Sequence, residues 1–158
     1  MEESSAADLD RIDIRILRVL QADGRLTNAE LAGRVGVSPA TCHRRTQRLF
    51  DLGFVTGVRA AIAPSAVGLG ALVMVGVVLD RSTPESFAAF EQAVLPMKEV
   101  LDCNLVAGDF DYLLKIRVRD MSDFNTFHGQ KLIALPGVRQ TRTFFVMKEV
   151  KENGPLDF

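Results

Sequence analysis

The strongest constraint on the fold of this chain is a pattern that occurs twice after residue 70. Each copy consists of an apolar strand, a helical segment with a Phe-x-x-Phe pair, a Leu-Pro pair and a second strand. The four strands are expected at residues 71–79, 100–107, 112–118 and 138–148. Two such units in series predict a ferredoxin-like β-α-β-β-α-β domain, with both helices on one face of a four-stranded antiparallel sheet.

The other face of that sheet has no helix to cover it. Its strands are rich in valine, leucine and phenylalanine, and an exposed apolar surface of that size indicates association. A second copy of the chain, related by a two-fold axis, is the expected partner because a symmetric interface can cover both sheets at once.

Residues 24–53 predict two short helices joined by a tight turn. Thr27 and Glu30 have the spacing of a capping box, and Gly36 suits the left-handed position that ends the first helix. Ser38-Pro39 then starts the second helix at about Ala40. Apolar residues upstream form a third helix, closed by Asp23-Gly24: Leu9, Ile12, Ile16, Leu17 and Leu20.

The second of these two helices carries arginines on its outward face, while Cys42, Leu49 and Leu52 face the core, with Thr46 inward and Arg45 along the edge. In a helix-turn-helix, this helix enters the major groove of DNA. The candidates for contact with bases are Ala40, Thr41, His43, Arg44 and Gln47, and those for the phosphate backbone are Thr27, Asn28 and Arg48. Ser38 is a further candidate for contact with DNA. The alternative is a three-helix packing unit whose arginines are only a solvated face.

Composition limits the other possibilities. A net charge of −1 means that any DNA affinity must come from local placement of positive charge. The start of the chain lacks the features of a signal peptide, and the longest apolar run, residues 68–79, is too short to span a bilayer. A cytoplasmic protein is therefore expected. Cys42 and Cys103 fall in different predicted domains and are interpreted as core residues, not as disulfide partners or metal ligands.

The turn between the two repeats is more acidic and aromatic than a hairpin requires. It consists of Gly108, Asp109, Phe110, Asp111 and Tyr112. Its carboxylates could bind the ammonium group of an amino acid, while glycine amides meet the carboxylate and apolar neighbours meet the side chain. A well-made turn with both aromatic rings in the core explains the same residues, so both interpretations stay open.

Catalysis is not favoured by the residues. The two histidines, His43 and His128, lie in separate predicted domains. No phosphate-binding glycine loop, metal-ligand cluster or nucleophile with a nearby base is recognisable in the sequence. No enzyme activity, cofactor or metal ion is therefore expected.

Three long segments of the sequence resemble the Lrp/AsnC, or feast/famine, family of transcriptional regulators. They are LDRIDIRILRVLQADGRLTNAELAGRVGVSP, LVAGDFDYLLKIRVRDMS and LPGVRQTRTFFVMKEVK. The resemblance runs from Leu9 to about Glu152. It implies a helix-turn-helix, a hinge strand and a ligand-responsive domain of the kind called RAM. It also implies dimers that assemble into rings, typically octamers, with amino acids bound between dimers near the acidic turn.

The same resemblance implies a set of positions that govern the response to an effector: Leu105, Asp111, Met121, Ile133, Phe144, Phe145 and Val146. The expected organisation is an N-terminal tail (1–8), a helix-turn-helix domain (9–53), a hinge strand and linker (54–70), an effector-binding and oligomerisation domain (71–150) and a C-terminal tail (151–158).

Together these features predict an α+β protein that binds double-stranded DNA as a transcriptional regulator of amino-acid metabolism genes. Leucine, proline, a branched-chain amino acid or a related metabolite is the expected effector. The alternative from another class is an amino-acid-binding module that acts by protein contact without binding DNA. Salt-dependent duplex binding distinguishes the two, because phosphate contacts weaken steeply with salt.

Overall fold

The computed structural model describes residues 9–158, so the expected N-terminal tail at 1–8 lies outside the described residues. The chain divides into two compact units. The first unit runs to Ala61 and includes Lys151–Phe158, and the second is Ile62–Val150. Among residues 9–158, every helix is too short or too polar to cross a bilayer.

The first unit contains the three expected helices: α1 (Arg11–Ala22), α2 (Asn28–Val35) and α3 (Pro39–Asp51). Their ends follow the local sequence signals. The capping box of Thr27 and Glu30 is formed, Gly36 has a positive φ of 75° after α2, and the Ser38 side chain accepts a hydrogen bond from the Thr41 amide. These caps fix the turn between α2 and α3, as predicted.

The core of this unit is formed by one stripe from each helix: Ile16, Leu31, Ala32, Val35, Cys42 and Leu49. Ala32 is small and buried, which lets α3 cross close to α2. Leu52 was predicted to face this core, but it is exposed. The reason is that α3 ends at Asp51 and Leu52 is its C-cap, so the helical periodicity no longer applies there.

The second unit has the predicted β-α-β-β-α-β order. Its elements are β1 (Ala71–Leu79), α4 (Pro84–Val94), β2 (Val100–Leu105), β3 (Tyr112–Val118), α5 (Met121–Phe127) and β4 (Val138–Phe145). The sheet order is β2-β3-β1-β4, and every neighbouring pair is antiparallel. A π-helical turn, His128–Leu132, follows α5 directly.

Both helices cover one face of the sheet, as expected. Val73, Val75 and Val77 of β1 point to this face and are fully buried. Phe90 of α4 and Phe127 of α5 pack in the same cluster. The Phe-x-x-Phe segments of the two repeats are therefore the contacts that attach each helix to the sheet.

The opposite face, which we call the open sheet face, carries the alternate residues of the strands. Met74 lies in its centre, paired with Lys115 on one side and Phe144 on the other. Gly76 is the next residue of β1 on this face, and the Phe110 ring lies directly over it. The open sheet face thus combines apolar and charged side chains.

Two predictions about individual segments are wrong for the single chain. Residues 54–63 form no strand, because an extended segment becomes a strand only when a neighbour completes its hydrogen-bond ladder. Cys103 is exposed and not a core residue, since it lies on β2 at the edge of the sheet. Cys42 is buried, as predicted.

Candidate DNA-binding and effector-binding residues

The outward face of α3 presents the residues predicted to contact bases. Ala40, His43, Arg44 and Gln47 are exposed, and Thr41 is half-buried. Within the described part of the chain, the Arg44 guanidinium has no hydrogen bond or ion pair. Gln47 donates a hydrogen bond to Asp51 one turn later (2.9 Å). Arg44 is therefore the charged group of α3 that is most available to an external acceptor.

Arg45 has a different role that the sequence interpretation missed. Its guanidinium donates to Asp10 (2.6 Å) and to Asp13 (2.9 Å). The Asp13 side chain is only 3% exposed and that of Arg45 is 22% exposed. The hydrogen bond from the Asp13 amide has the largest lowering effect on the pKa of Asp10, and the Arg45 guanidinium has the next largest. This ionic cluster joins α1 to α3 and fixes the position of the helix that would read DNA.

Arg48 lies at the edge of the same cluster. One of its guanidinium nitrogens is 3.5 Å from an Asp13 carboxylate oxygen, and its side chain is 43% exposed. The pairing is long and solvent-accessible, which makes it weak. Arg48 can therefore exchange Asp13 for a phosphate with little loss, whereas Arg45 is held by two carboxylates.

The three candidates near the helix starts already make hydrogen bonds within the turn, and two of them are helix caps. Thr27 and Glu30 bond each other reciprocally, and these bonds lower the pKa of Glu30. Asn28 donates from its side-chain amide to the Pro39 carbonyl oxygen (2.8 Å), and Ser38 caps α3. All three side chains are exposed. Their direct role is to shape the turn, and they remain beside the surface that α3 presents.

In the acidic turn, the two aspartates differ. Asp111 accepts a hydrogen bond from the Leu79 amide on a carboxylate oxygen (2.7 Å), and its own amide donates to Val77 (2.9 Å). Asp109 is exposed. One carboxylate therefore attaches the turn to the end of β1, while the other faces solvent.

The two aromatic residues of the turn lie in different surroundings. Tyr112 is buried in the core, and its hydroxyl donates to Glu91 (2.6 Å). Burial is the main cause that raises the pKa of Tyr112, and the hydrogen bond to Glu91 is the second. Phe110 instead reaches the open sheet face, where its ring lies near Phe144 (6.4 Å between centroids) and under Arg142 (5.9 Å). The interpretation of both rings as core residues holds for Tyr112 only.

The remaining effector candidates do not form a single pocket in one chain. Phe144 lies on the open sheet face, whereas Phe145 packs against Phe124 (5.3 Å) on the helix face. Met121 and Ile133 are exposed near the two ends of the α5 segment. Leu105, at the end of β2, is also exposed, and Gly108 is an exposed turn residue. The Val146 amide donates a hydrogen bond to the Leu72 carbonyl oxygen (3.0 Å).

One further polar contact near these candidates was not predicted. His128 shares a hydrogen bond with Thr141 of β4 (3.1 Å), and its ring lies 5.8 Å from that of Phe124. It begins the π-helical turn, a form found often near functional sites. This contact has no signal in the sequence, because it joins two separate elements whose packing local periodicity does not determine.

Replacing Asp111 with alanine is expected to reduce the response to an effector and also to destabilise the second unit by about 1–3 kcal/mol, because the Leu79 amide loses its acceptor. Thermal unfolding and calorimetric titration measure the two effects. Asp109→Ala is the matched control for charge, since that side chain is exposed. If effector binding is intact in the folded Asp111→Ala protein, Asp111 is a structural residue of the turn only.

Two family models match the chain in succession. The AsnC-type helix-turn-helix domain matches residues 9–49, and the Lrp/AsnC ligand-binding domain matches residues 72–156. The leucine-responsive regulatory proteins of Escherichia coli K12 and Klebsiella pneumoniae are each 48% identical over 149 residues, which is 94% of this chain and 91% of theirs.

Solved structures agree with these matches. A transcriptional regulator from Neisseria meningitidis, crystallised as an L-Met complex, has a TM-score of 0.89 and 39% identity over 94% of this chain and 96% of its own. An AsnC-family transcriptional regulator from Agrobacterium tumefaciens has a TM-score of 0.89 and 32% identity over 94% and 97%. Both units of the chain thus have close structural relatives.

Proposed function

Because this chain belongs to the Lrp/AsnC family of amino-acid-responsive, DNA-binding transcriptional regulators, we propose that it controls genes of amino-acid metabolism through the outward face of α3. The observation that carries this proposal is that the arginines of α3 differ in their contacts. Arg45 attaches α3 to α1, Arg44 is exposed and available to base edges, and Arg48 can exchange its long contact with Asp13 for a phosphate. Residues 9–53 are the proposed DNA-binding domain.

The proposed effector is an amino acid bound by residues 71–150. The solvent-facing Asp109 carboxylate suits an ammonium group, and exposed apolar residues of the same unit suit an aliphatic side chain: Leu105, Met121, Ile133 and Phe144. The Neisseria meningitidis relative was crystallised with L-Met. Leucine, proline, branched-chain amino acids and methionine are therefore the first ligands to test.

Self-association is part of the same proposal. Phe144 is exposed and Met74 is half-buried on the open sheet face, which suits coverage by the same face of a second copy. Such a dimer carries two copies of α3, as a two-fold symmetric operator requires. We propose that these dimers assemble further, up to a tetramer of dimers. Because the partner is chromosomal DNA, the proposed location is the cytoplasm.

The direct test is binding of the purified protein to DNA upstream of its own gene, with each of the twenty amino acids added in turn. A complex that weakens steeply with salt and changes with one amino acid supports the proposal and identifies the effector. DNA binding that no amino acid changes would contradict the proposed effector but not the proposed DNA binding. A complete lack of salt-dependent duplex binding would instead support an amino-acid-binding module that acts by protein contact.

Two substitutions on α3 are expected to affect DNA binding differently. Arg44→Ala should cost about 1–3 kcal/mol on the operator and relax preference at one base position, whereas Arg48→Ala should weaken binding to all duplexes alike. Competition titrations with operator variants and random DNA measure both effects. Operator affinity that is unchanged in Arg44→Ala would contradict the assignment of Arg44 to base contact.

A further inference from the structure

The end of the chain is held against α1 by the side chain of one glutamine. The Leu156 amide donates to the Gln21 side-chain oxygen (3.0 Å), and the Gln21 side-chain nitrogen donates to the Leu156 carbonyl oxygen (2.9 Å). The primary amide therefore satisfies both backbone groups of a single residue. A neighbouring strand would offer the same pair of hydrogen bonds, so Gln21 recognises extended peptide backbone.

Arg18 provides a second contact on the same side of α1. Its Nε donates to the Phe158 main-chain oxygen (2.6 Å), a second guanidinium nitrogen donates to the same oxygen, and its guanidinium lies 5.9 Å from the centre of the Phe158 ring. Arg18 and Gln21 are three residues apart and thus lie side by side on the helix. They bind alternate residues of the tail, Leu156 and Phe158, as an extended segment presents them.

The apolar side chains of the tail are only partly buried. Leu156 is 76% exposed and Phe158 is 42% exposed. Both border a cavity of about 550 Å³, whose other apolar walls come from α1, the residues just before it and the segment after α3: Leu9, Leu17, Leu20, Phe54, Val55 and Val58. Polar contacts therefore hold the tail more than apolar burial does, and a segment held in this way is released more readily than a core element.

The tail is also anchored at its other end, within the second unit. After β4, the Val146 amide donates to Leu72 (3.0 Å), and the Glu149 carboxylate pairs with the buried Arg117 guanidinium of β3 (2.5 Å). The chain thus leaves β4, which carries the effector candidates Phe144 and Phe145, and ends on α1. Because α1 also carries Asp13, which holds Arg45 of α3, docking of the tail acts on the helix that supports the DNA-reading helix.

We propose that Arg18 and Gln21 form a peptide-binding site on α1 whose occupant is this chain's own tail, Leu156–Phe158, and that occupancy of this site stabilises the DNA-binding arrangement of α1 and α3. The consequence for DNA affinity rests on the proposed function, whereas the docking itself does not. The tail is covalently continuous with β4, but its attachment to α1 consists of hydrogen bonds and can therefore be broken and re-formed.

The chain contains no tryptophan, so Phe158→Trp introduces a single fluorescent reporter that keeps the ring contact with Arg18. In this background, Gln21→Ala should shift the emission to longer wavelength and lower its anisotropy, because the docked ring becomes solvated and mobile. Gln92→Ala, the same change at an exposed glutamine of α4, should alter neither quantity. Identical emission and anisotropy in the Gln21→Ala and Gln92→Ala proteins would overturn the docking site.

DNA affinity tests the consequence. Gln21→Ala and a chain that ends at Gly154 should each bind the operator about fivefold or more weakly than the unaltered chain, a typical coupling between two sites. The two changes together should weaken binding no further, since both remove the same contact. Full operator affinity in the shortened chain, or additive losses in the combination, would overturn the coupling. If the unaltered chain binds no DNA, the proposed function fails, while the tryptophan reporter still decides whether the tail docks.

Discussion

Replacing Asp13 with alanine is expected to lower the free energy of unfolding of the first unit by about 3–5 kcal/mol, the usual cost of removing one member of a buried ion pair. Asp13 is 3% exposed and binds Arg45 at 2.9 Å, so its loss leaves a guanidinium in a site built for two carboxylates. Operator binding should fall as well, because α3 loses its attachment to α1. Denaturant unfolding and DNA titration of the same protein measure both effects.

Asp10→Asn is the matched control, because Asp10 binds the same guanidinium but is exposed, and asparagine keeps the acceptor that caps the start of α1. Its effect should be clearly smaller than that of Asp13→Ala. The double change Asp13→Leu with Arg45→Met should recover most of the stability, since an apolar pair of similar volume often replaces a buried ion pair without loss. If Asp10→Asn and Asp13→Ala are equally destabilising, burial of Asp13 is not the source of the effect.

Met74→Asp is expected to convert the protein to a monomer at micromolar concentration. Met74 lies on the central strand β1, in the middle of the open sheet face and opposite Lys115, so the proposed dimer would bury two added carboxylates. The dissociation constant should rise at least ~100-fold, given the cost of taking charged groups out of water. Light scattering over a dilution series gives the mass directly.

The control for this substitution is Met74→Leu, which keeps an apolar side chain of similar volume and should remain a dimer. Circular dichroism of Met74→Asp should match that of the unaltered chain, because the residue lies opposite the helix-covered core. A folded Met74→Asp protein with the mass of a dimer would show that the open sheet face is not the interface. If the unaltered chain is itself a monomer at this concentration, the proposed dimer is also contradicted.

The parts of the fold that local sequence determines were predicted well. Thr27 with Glu30, Gly36 and Ser38 act through neighbours within four residues, and the structure confirms each cap. The extent of β1 was equally readable from the apolar run, since the expected strand at residues 71–79 is the observed one. Such signals are local, so one sequence is sufficient to recognise them.

Contacts between distant segments were not predictable in the same way. Arg45 was placed at the edge of α3 from helical periodicity, yet it binds carboxylates 32 and 35 residues earlier in the chain. Helical periodicity gives the direction of a side chain, but it does not identify the charged residue that the side chain contacts. The hinge strand expected after α3 is absent from residues 54–63 for a related reason, because strand formation depends on a partner segment.

The candidate effector residues show a third kind of limit. Phe144 and Phe145 are adjacent in sequence and were assigned together, but alternation along β4 sends their side chains to opposite faces of the sheet. A single bound amino acid in one chain cannot meet both side chains on the same surface. If both residues respond to an effector, a second copy or a shift of β4 must be involved.

The neutralisation of Arg45 has a kinetic consequence. With that charge paired inside the protein and a net charge of −1 overall, little positive field extends beyond the roughly 8 Å screening distance of physiological salt. Encounter with DNA should then proceed near the unsteered rate of about 10⁵–10⁶ M⁻¹s⁻¹. The effect of salt should appear mainly in how long a complex lasts, so residence time on the operator becomes the property that substitutions on α3 change.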